Sequence, residues 1–524
     1  MLDRKGLGDA GPGDLAVVRA GRGRAKLERV LGRAEDIEVV LEGVLEHAGA
    51  RTEFEPYSEP PHDGERVDLR DLLTFTIDPE TAKDFDDALS VEEEDGGYRA
   101  WVHIADVSAY VAPGTPLDRG AAERAFTTYV PGRAAPMLPP QLADDRCSLR
   151  PNEDRLCVTV EMPPTGEPRF YRSVIRSDAR LTYGQAERRE AEPDVAAALE
   201  RTDALTAGIR DRRFARGALR IESPEITFAF DGHGSVARAW KESEPTAHRL
   251  VEELMIAANE AVARLLSSRR REALYRVHER PDAHAIELLL EKLSDLGVPT
   301  PPAPKQLTPA LAAELAAATS VRVMDYVARS GRGREAFPSL VLRSLKQARY
   351  HPENLGHSGL ASTAYCHFTS PIRRYPDLVV HRALLRELGV ADDGGPSDLA
   401  ALAEHTSTRE REAAKVEYLA DALCLAWLLD DVLFERGWDD PFEGEIVGLI
   451  GSGMFVRFGE VFEGFLPARR LAGDYFELNE RGTALVGRRG GGTFRLGDGI
   501  EVLVEKIEKT DGKVELSPAG RRRR

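Results

Sequence analysis

The sequence predicts an α+β protein: a large body built on a mixed sheet with surrounding helices, a small closed β-barrel behind it, and a short N-terminal segment of partial β character. Three observations predict this. β-rich runs at 72–77 and 98–104 precede long Ala- and Leu-rich helical stretches. At Asp440 the texture changes to short β runs broken by glycines. The chain has 524 residues, 42% hydrophobic and 30% charged, an ordinary globular balance that supports sizeable cores in two to four domains of ~100–200 residues each.

The elements follow in order. Segments 14–19 and 26–31 read as strands joined by a Gly/Arg-rich turn, and 36–49 as a helix. Residues 56–65 hold three prolines and Asp63-Gly64, which marks a linker. After the two β runs of the body come helices at 246–268, opening after Pro245, then at 283–296 and 409–435. The glycine-broken strands lie at 444–448, 453–458, 463–466 and 499–506, a spacing that suggests a barrel of OB type. The expected division is 1–67, 68–438, 439–518 and a basic tail at 519–524, with no internal repeat.

Composition narrows the classes. No run approaches the ~20 apolar residues that cross a bilayer, and no apolar stretch follows Met1-Leu2-Asp3-Arg4-Lys5, so neither a membrane span nor a signal peptide is expected. Cys147, Cys157, Cys366 and Cys424 show no CxxC spacing, which argues against zinc and disulfide frameworks and for a reducing cytoplasm. The net charge of −17 opposes nucleic-acid binding unless basic residues cluster locally.

The densest chemistry is Asp78-Pro-Glu-Thr-Ala-Lys-Asp-Phe-Asp-Asp-Ala-Leu89. Asp78 ends a strand, and Asp84, Asp86 and Asp87 follow. Carboxylates that converge repel one another, and a cation among them relieves this. Hard oxygen ligands suit magnesium or manganese, and two such ions ~3.5–4 Å apart can cleave a phosphodiester. A solvated acidic turn and an Asp-x-Asp-Asp general acid remain open alternatives. An EF-hand does not, because its spacing and closing Glu are missing.

A second segment, 343–382, holds six Lys/Arg against two acidic residues, a local net of 6 − 2 = +4. At its centre, Pro371 and Pro376 restrict the backbone on either side of Arg373 and Arg374. A guanidinium held there suits bidentate phosphate contact. The competing reading is a structural Arg–Asp pair with Asp377.

Together these segments resemble the ribonuclease II/ribonuclease R (RNB-domain) family of 3′→5′ exoribonucleases, closer to the ribonuclease R branch, from about residue 68 onward. Besides the acidic run, the motifs in family order are Trp101-Val-His-Ile-Ala-Asp-Val-Ser108, Tyr129-Val-Pro-Gly132, Pro136-Met-Leu-Pro139, Cys147-Ser-Leu149, Val251-Glu-Glu-Leu-Met-Ile-Ala-Ala-Asn259, Tyr275-Arg-Val-His-Glu279 and Thr369-Ser-Pro-Ile-Arg-Arg-Tyr-Pro-Asp377. The resemblance implies a hydrolytic exoribonuclease that releases 5′-nucleoside monophosphates from single-stranded RNA, acting as a cytoplasmic monomer.

The implied roles carry over by position. Asp78, Asp84, Asp86 and Asp87 would hold magnesium (or manganese), with Asp86 the residue whose neutralisation stops cleavage. Arg373 would contact the scissile phosphate and Arg374 the RNA. Tyr129 would stack on the 3′-terminal bases, and Tyr183 would check the ribose with Glu252 or Glu253. The barrel resembles the RNA-binding OB repeat named after the first small-subunit ribosomal protein, with Phe455 and Phe458 as its stacking platform and Arg457 a phosphate contact. His103 and His278 read as structural.

Three departures stand out. Only about 70 residues precede the matching region, where the family carries two cold-shock barrels, so 1–67 reads as a reduced RNA clamp. Ile221 stands where a second stacking aromatic is expected, and Pro467 replaces the barrel's usual histidine. The alternative function is a catalytically weak RNA-binding or regulatory protein on the same fold. The four retained aspartates disfavour it. Tyr183 and the Glu252-Glu253 pair disfavour a DNA exonuclease.

Overall fold

In the computed structural model the described residues are 10–20, 25–50, 53–60, 64–221, 224–241, 246–391, 395–471, 473–490 and 492–519. β1 (Asp14–Ala20) and β2 (Ala25–Arg33) pair as an antiparallel hairpin. α1 (Ile37–His47) starts where the Asp36 side chain accepts the Glu38 N–H. Its buried residues, Ile37, Leu41 and Leu45, recur every four positions and form one apolar stripe.

The body is organised by a seven-stranded mixed sheet. Its strands are β3 (Val67–Asp68), β4 (Phe75–Asp78), β5 (Asp87–Glu94) and β6 (Gly97–Ala105), and, after α2 (Pro116–Arg124) and the hairpin β7 (Thr128–Val130) and β8 (Arg133–Ala135), also β9 (Asp154–Met162), β10 (Arg169–Arg176) and β11 (Ala179–Thr182). The spatial order is β11-β4-β5-β6-β9-β10-β3, with the two outer pairs parallel and the inner ones antiparallel.

Helices then cover the sheet. α3 (Tyr183–Arg188) and α4 (Pro193–Ala215) precede a hairpin of β12 (Ile226–Phe230) and β13 (Val236–Lys241). α5 (Thr246–Ser268) matches the predicted stretch and buries thirteen side chains, Leu250, Leu254 and Ala258 among them. β14 (Tyr275–Val277), α6 (Ala283–Asp295), α7 (Pro309–Ser330), α8 (Ala336–Arg343), β15 (Arg349–His351) and α9 (Tyr375–Glu387) follow. α10 (Leu399–Arg436) is longer than the predicted 409–435 because Asp398 caps it, accepting the Ala401 N–H. α4 and α7 escaped the sequence reading. α4 carries charged residues on most turns, so its apolar stripe is faint.

The barrel closes in the order β16 (Phe442–Ile450), β17 (Gly453–Phe458), β18 (Phe462–Pro467), β23 (Lys513–Pro518), β22 (Gly499–Glu508). Between β18 and β22 lies a small sheet of β19 (Phe476–Leu478), β20 (Ala484–Gly487) and β21 (Thr493–Arg495). The barrel is seated on the body. Glu445 accepts the N–H groups of Arg334 and Ala336, both at 2.9 Å, and so caps α8 from outside. Its core, with Ile446, Val456 and Leu466, is continuous with buried residues of α1 and α10. Arg521–Arg524, expected as a basic tail, lie outside the described residues. Among the described residues no helix is long and apolar enough to cross a membrane.

Candidate active site

β4 and β5 are antiparallel neighbours, with Phe75 opposite Leu89. The end of β4 therefore meets the start of β5, which brings Asp78 and Asp87 together. The connection between them carries Asp84 and Asp86. Asp86 is 4% exposed, and its Oδ1 accepts the Ile372 N–H at 2.8 Å. The Oδ2 atoms of Asp78 and Asp86 are buried without a hydrogen-bond donor.

Burial without compensation disfavours the charged form. It pushes Asp78 up to about 8, with the neighbouring Asp87 charge adding to the effect. Burial also raises Asp87 to about 6, against the pull of Arg373 and Arg374. Asp86 is driven well above the usual carboxylate range by burial, with Arg373 opposing. Among the described residues no three carboxylate, imidazole or thiol groups close around a common point as a finished metal cage. The donor set still suits a hard cation: only oxygens, two of them buried and donor-free, whose ionised forms a cation would stabilise.

The arginine loop is clamped from two sides. Asp86 holds Ile372, and buried Asp377 accepts the Ser370 N–H at 2.8 Å. Arg373 Nε lies 3.6 Å from Asp86 Oδ2, with its side chain 47% exposed, so it faces both the carboxylates and open solvent. Arg374 corrects an expectation. Its Nη2 donates to Asp377 Oδ1 at 2.7 Å, so the structural Arg–Asp pair weighed for this segment is the role it fills. Other cations of 343–382 are also engaged: Arg382 with Asp118 at 2.8 Å, and Arg349 and Lys346 with Glu279. The expected anion-binding surface contracts to the neighbourhood of Arg373.

Tyr129 sits on the β7–β8 hairpin, 39% exposed. Its hydroxyl donates to Asp84 Oδ2 at 3.1 Å, and its backbone N–H donates to Glu417 on α10 at 3.1 Å. Glu417 was missed from sequence, since α10 is far along the chain and carries many glutamates. Tyr183 is the first residue of α3, directly after β11, which is parallel to β4. Its hydroxyl is held above its ordinary range by burial and by the Asp87 and Asp78 charges, and its ring lies 5.0 Å from that of His248.

Glu252 and Glu253 differ in burial and partners. Glu253 is 1% exposed and takes the Arg213 guanidinium on both oxygens, at 3.0 and 2.5 Å. Glu252 is exposed and follows His248 by one helical turn on the face that meets Tyr183. His103 is fully buried between Ser90 and Thr159, and His278 Nδ1 accepts the Gly359 N–H, both structural as expected.

On the barrel, β17 alternates faces. Met454, Val456 and Phe458 point inward, and Phe455 and Arg457 outward. Phe458 is 1% exposed in the barrel core, so no base can reach it, which corrects its place in the expected platform; the ring beside Phe455 is Phe465, directly opposite with ring centroids 5.1 Å apart. Arg457 is held by Glu335 and Glu463, both at 2.9 Å, and ties the barrel to the body instead of facing phosphate.

Carboxylates gathered at strand ends beside an arginine loop, on a mixed sheet joined to a closed five-stranded barrel, define a class: an RNB domain followed by an S1 RNA binding domain. Family models match in that order, the RNB domain at 66–389 and the S1 RNA binding domain at 438–518. The chain belongs to the RNB-domain family. It is similar to Ribonuclease R of Escherichia coli (strain K12), 38% identical over 480 residues that cover 86% of this chain and 57% of that protein. Ribonuclease R of Aquifex aeolicus is 37% identical over 525 residues, covering 94% of this chain and 72% of that one. The solved structure of Mycoplasma genitalium RNase R in complex with ribose-methylated single-stranded RNA superposes with a TM-score of 0.87 at 25% identity, covering 99% of this chain and 85% of that chain. The chain thus spans little more than half the length of the Escherichia coli relative.

Proposed function

We propose that this chain is a hydrolytic 3′→5′ exoribonuclease that degrades single-stranded RNA to 5′-nucleoside monophosphates, using magnesium or manganese held by Asp78, Asp84, Asp86 and Asp87. One observation carries the reading: two buried, donor-free carboxylate oxygens, on Asp78 and Asp86, with the exposed Arg373 guanidinium 3.6 Å from the second. A cation bound at these oxygens supplies an activated water and offsets charge on the leaving oxygen. Arg373 donates to the phosphate oxygens on which charge grows. The Tyr129 ring stacks on a terminal base, worth roughly 1–3 kcal/mol. Tyr183 and Glu252 face the sugar, where the 2′-hydroxyl separates RNA from DNA. Phe455 and Phe465 receive the incoming strand.

The Ribonuclease R relatives and the RNA-bound neighbour support this substrate class. All four aspartates are present, which favours catalysis over a binding-only role. Four buried free cysteines suit the reducing cytoplasm expected for a monomeric enzyme. Incubation of 5′-labelled single-stranded RNA with magnesium tests the proposal. Decay through a ladder, or directly, to a short end product supports it. Early internal fragments, or intact RNA, refute it.

A further inference from the structure

Residues 210–220 contain five arginines and one acidic residue, a net of 5 − 1 = +4 in a chain of net charge −17. They form the C-terminal end of α4 and the segment after it. Two of the five are committed: Arg213 to Glu253, and Arg216 to Glu260 at 3.1 Å. The other three, Arg210, Arg212 and Arg220, have no carboxylate partner among the described residues. Arg212 and Arg220 are exposed and Arg210 partly so.

Phe214 organises this group. The guanidinium carbons of Arg220, Arg213 and Arg210 lie 4.4, 4.8 and 5.4 Å from the ring centroid. A guanidinium held against an aromatic ring is fixed through its face, which leaves its N–H edges open. A salt-bridged arginine, by contrast, has spent those edges. Arg349, Arg374 and Arg382 are of the second kind, and Arg210 and Arg220 are of the first. Open, oriented N–H forks match phosphate oxygens, and their concentration in an acidic protein focuses an attractive field on anions there.

The group also connects to the site. The Tyr183 ring touches His248, Glu252 lies one turn further along α5, and Arg213 places its Nη2 3.9 Å from Glu252 and its guanidinium carbon 4.8 Å from the Phe214 ring centroid. That chain of contacts runs from the sugar-facing tyrosine to the open arginines.

We infer that Arg210, Arg212 and Arg220, grouped about Phe214, form a second contact surface for the phosphodiester backbone of single-stranded RNA. This rests on the proposed exoribonuclease reading. The test compares the intact chain with the double variant Arg210→Gln/Arg220→Gln. Binding of a 5′-fluorescent single-stranded RNA is followed by anisotropy in EDTA across a salt titration. Loss of two phosphate contacts lowers the slope of log affinity against log salt by about 1.4, at roughly 0.7 per contact on a single strand, and weakens binding about tenfold or more at low salt. Arg210→Lys/Arg220→Lys keeps the charge and therefore most of the slope, which separates charge loss from misfolding. An unchanged slope in the Gln variant, with the intact chain binding and degrading RNA, overturns this inference alone. An intact chain that neither binds nor degrades RNA overturns the functional reading beneath it.

Discussion

Asp86 and Ile372 are joined by a 2.8 Å hydrogen bond from the Ile372 N–H to a buried carboxylate. The acidic strand end and the arginine loop, 286 residues apart in sequence, are therefore tied directly to each other. An amide oxygen can accept the same N–H, so Asp86→Asn leaves the loop seated while removing the charge beside Arg373. Cleavage should fall by about a thousandfold or more, on the scale of losing a principal charge-stabilising group, with RNA affinity within about threefold of the starting value. The variant should also melt higher in EDTA at neutral pH, because a buried carboxyl driven above its usual range opposes folding when ionised. A variant that still cleaves at the original rate would remove Asp86 from the reaction.

Magnesium and pH should act against each other at this site. Burial lifts Asp78 to about 8 and Asp87 to about 6, whereas an unfolded carboxyl titrates near ~4. In the metal-free chain the folded state thus keeps protons that the unfolded state has released. The stability from these two groups is fully present below about pH 4 and is lost as pH rises, through about 6 for Asp87 and about 8 for Asp78. A cation needs the ionised forms, so its stabilising effect grows over the same window. Thermal melts at about pH 5.5 and about pH 8.5, with and without millimolar magnesium, check this. Equal magnesium shifts at both pH values would count against carboxylate ligation.

What was legible in the sequence was local. The four aspartates lie on one strand–loop–strand unit, so their convergence follows from an antiparallel turn-back that short-range reasoning can see. Arg373 was legible for the same reason, as part of a proline-bounded turn. Facing was harder. Phe455 and Phe458 differ by three positions, an odd number, so in a strand they point to opposite sides and cannot share a platform. Phe465 becomes visible as a partner only through the β17–β18 register. Glu252 and Glu253 are adjacent on a helix, about 100° apart, and only the position of Arg213 says which one is buried. The count of basic residues over 343–382 misled because ion pairs to Glu279, Asp118 and Asp377 are tertiary contacts that composition does not reveal.

The two barrel phenylalanines should separate binding from stability. Phe455 is 36% exposed and faces Phe465. Phe455→Ala should weaken single-stranded RNA binding by roughly 5–150-fold, the range of one lost base stack, with an unchanged melting temperature. Phe458 fills the core against Phe442 and Phe462. Phe458→Ala should lower stability by about 3–5 kcal/mol, with any RNA defect tracking the unfolded fraction. Anisotropy and urea denaturation on both variants decide the matter, and a specific binding loss in the Phe458 variant at full folding would contradict the inward assignment.

The neighbouring glutamates on α5 should separate in the same way, with a sharper readout. Glu253 and Arg213 are both nearly inaccessible and joined by two hydrogen bonds. Glu253→Gln removes the close, buried counter-charge of Arg213 and leaves only the exposed Glu252 at 3.9 Å, which costs up to about 3–5 kcal/mol. Replacing both partners, as in Arg213→Met/Glu253→Leu, should recover much of that stability, because the cost lies in the unpaired charge and not in the absent pair. Glu252 is exposed and more distant from Arg213, at 3.9 Å. A hydrogen bond from a 2′-hydroxyl to its carboxylate is worth roughly 1.5–3 kcal/mol. Glu252→Gln should therefore reduce the ratio of RNA to DNA cleavage by about tenfold or more, at unchanged stability. The ratio is the decisive quantity, since a purely structural change would slow both substrates together. A Glu252→Gln chain that preserves the ratio would leave sugar discrimination to Tyr183 alone.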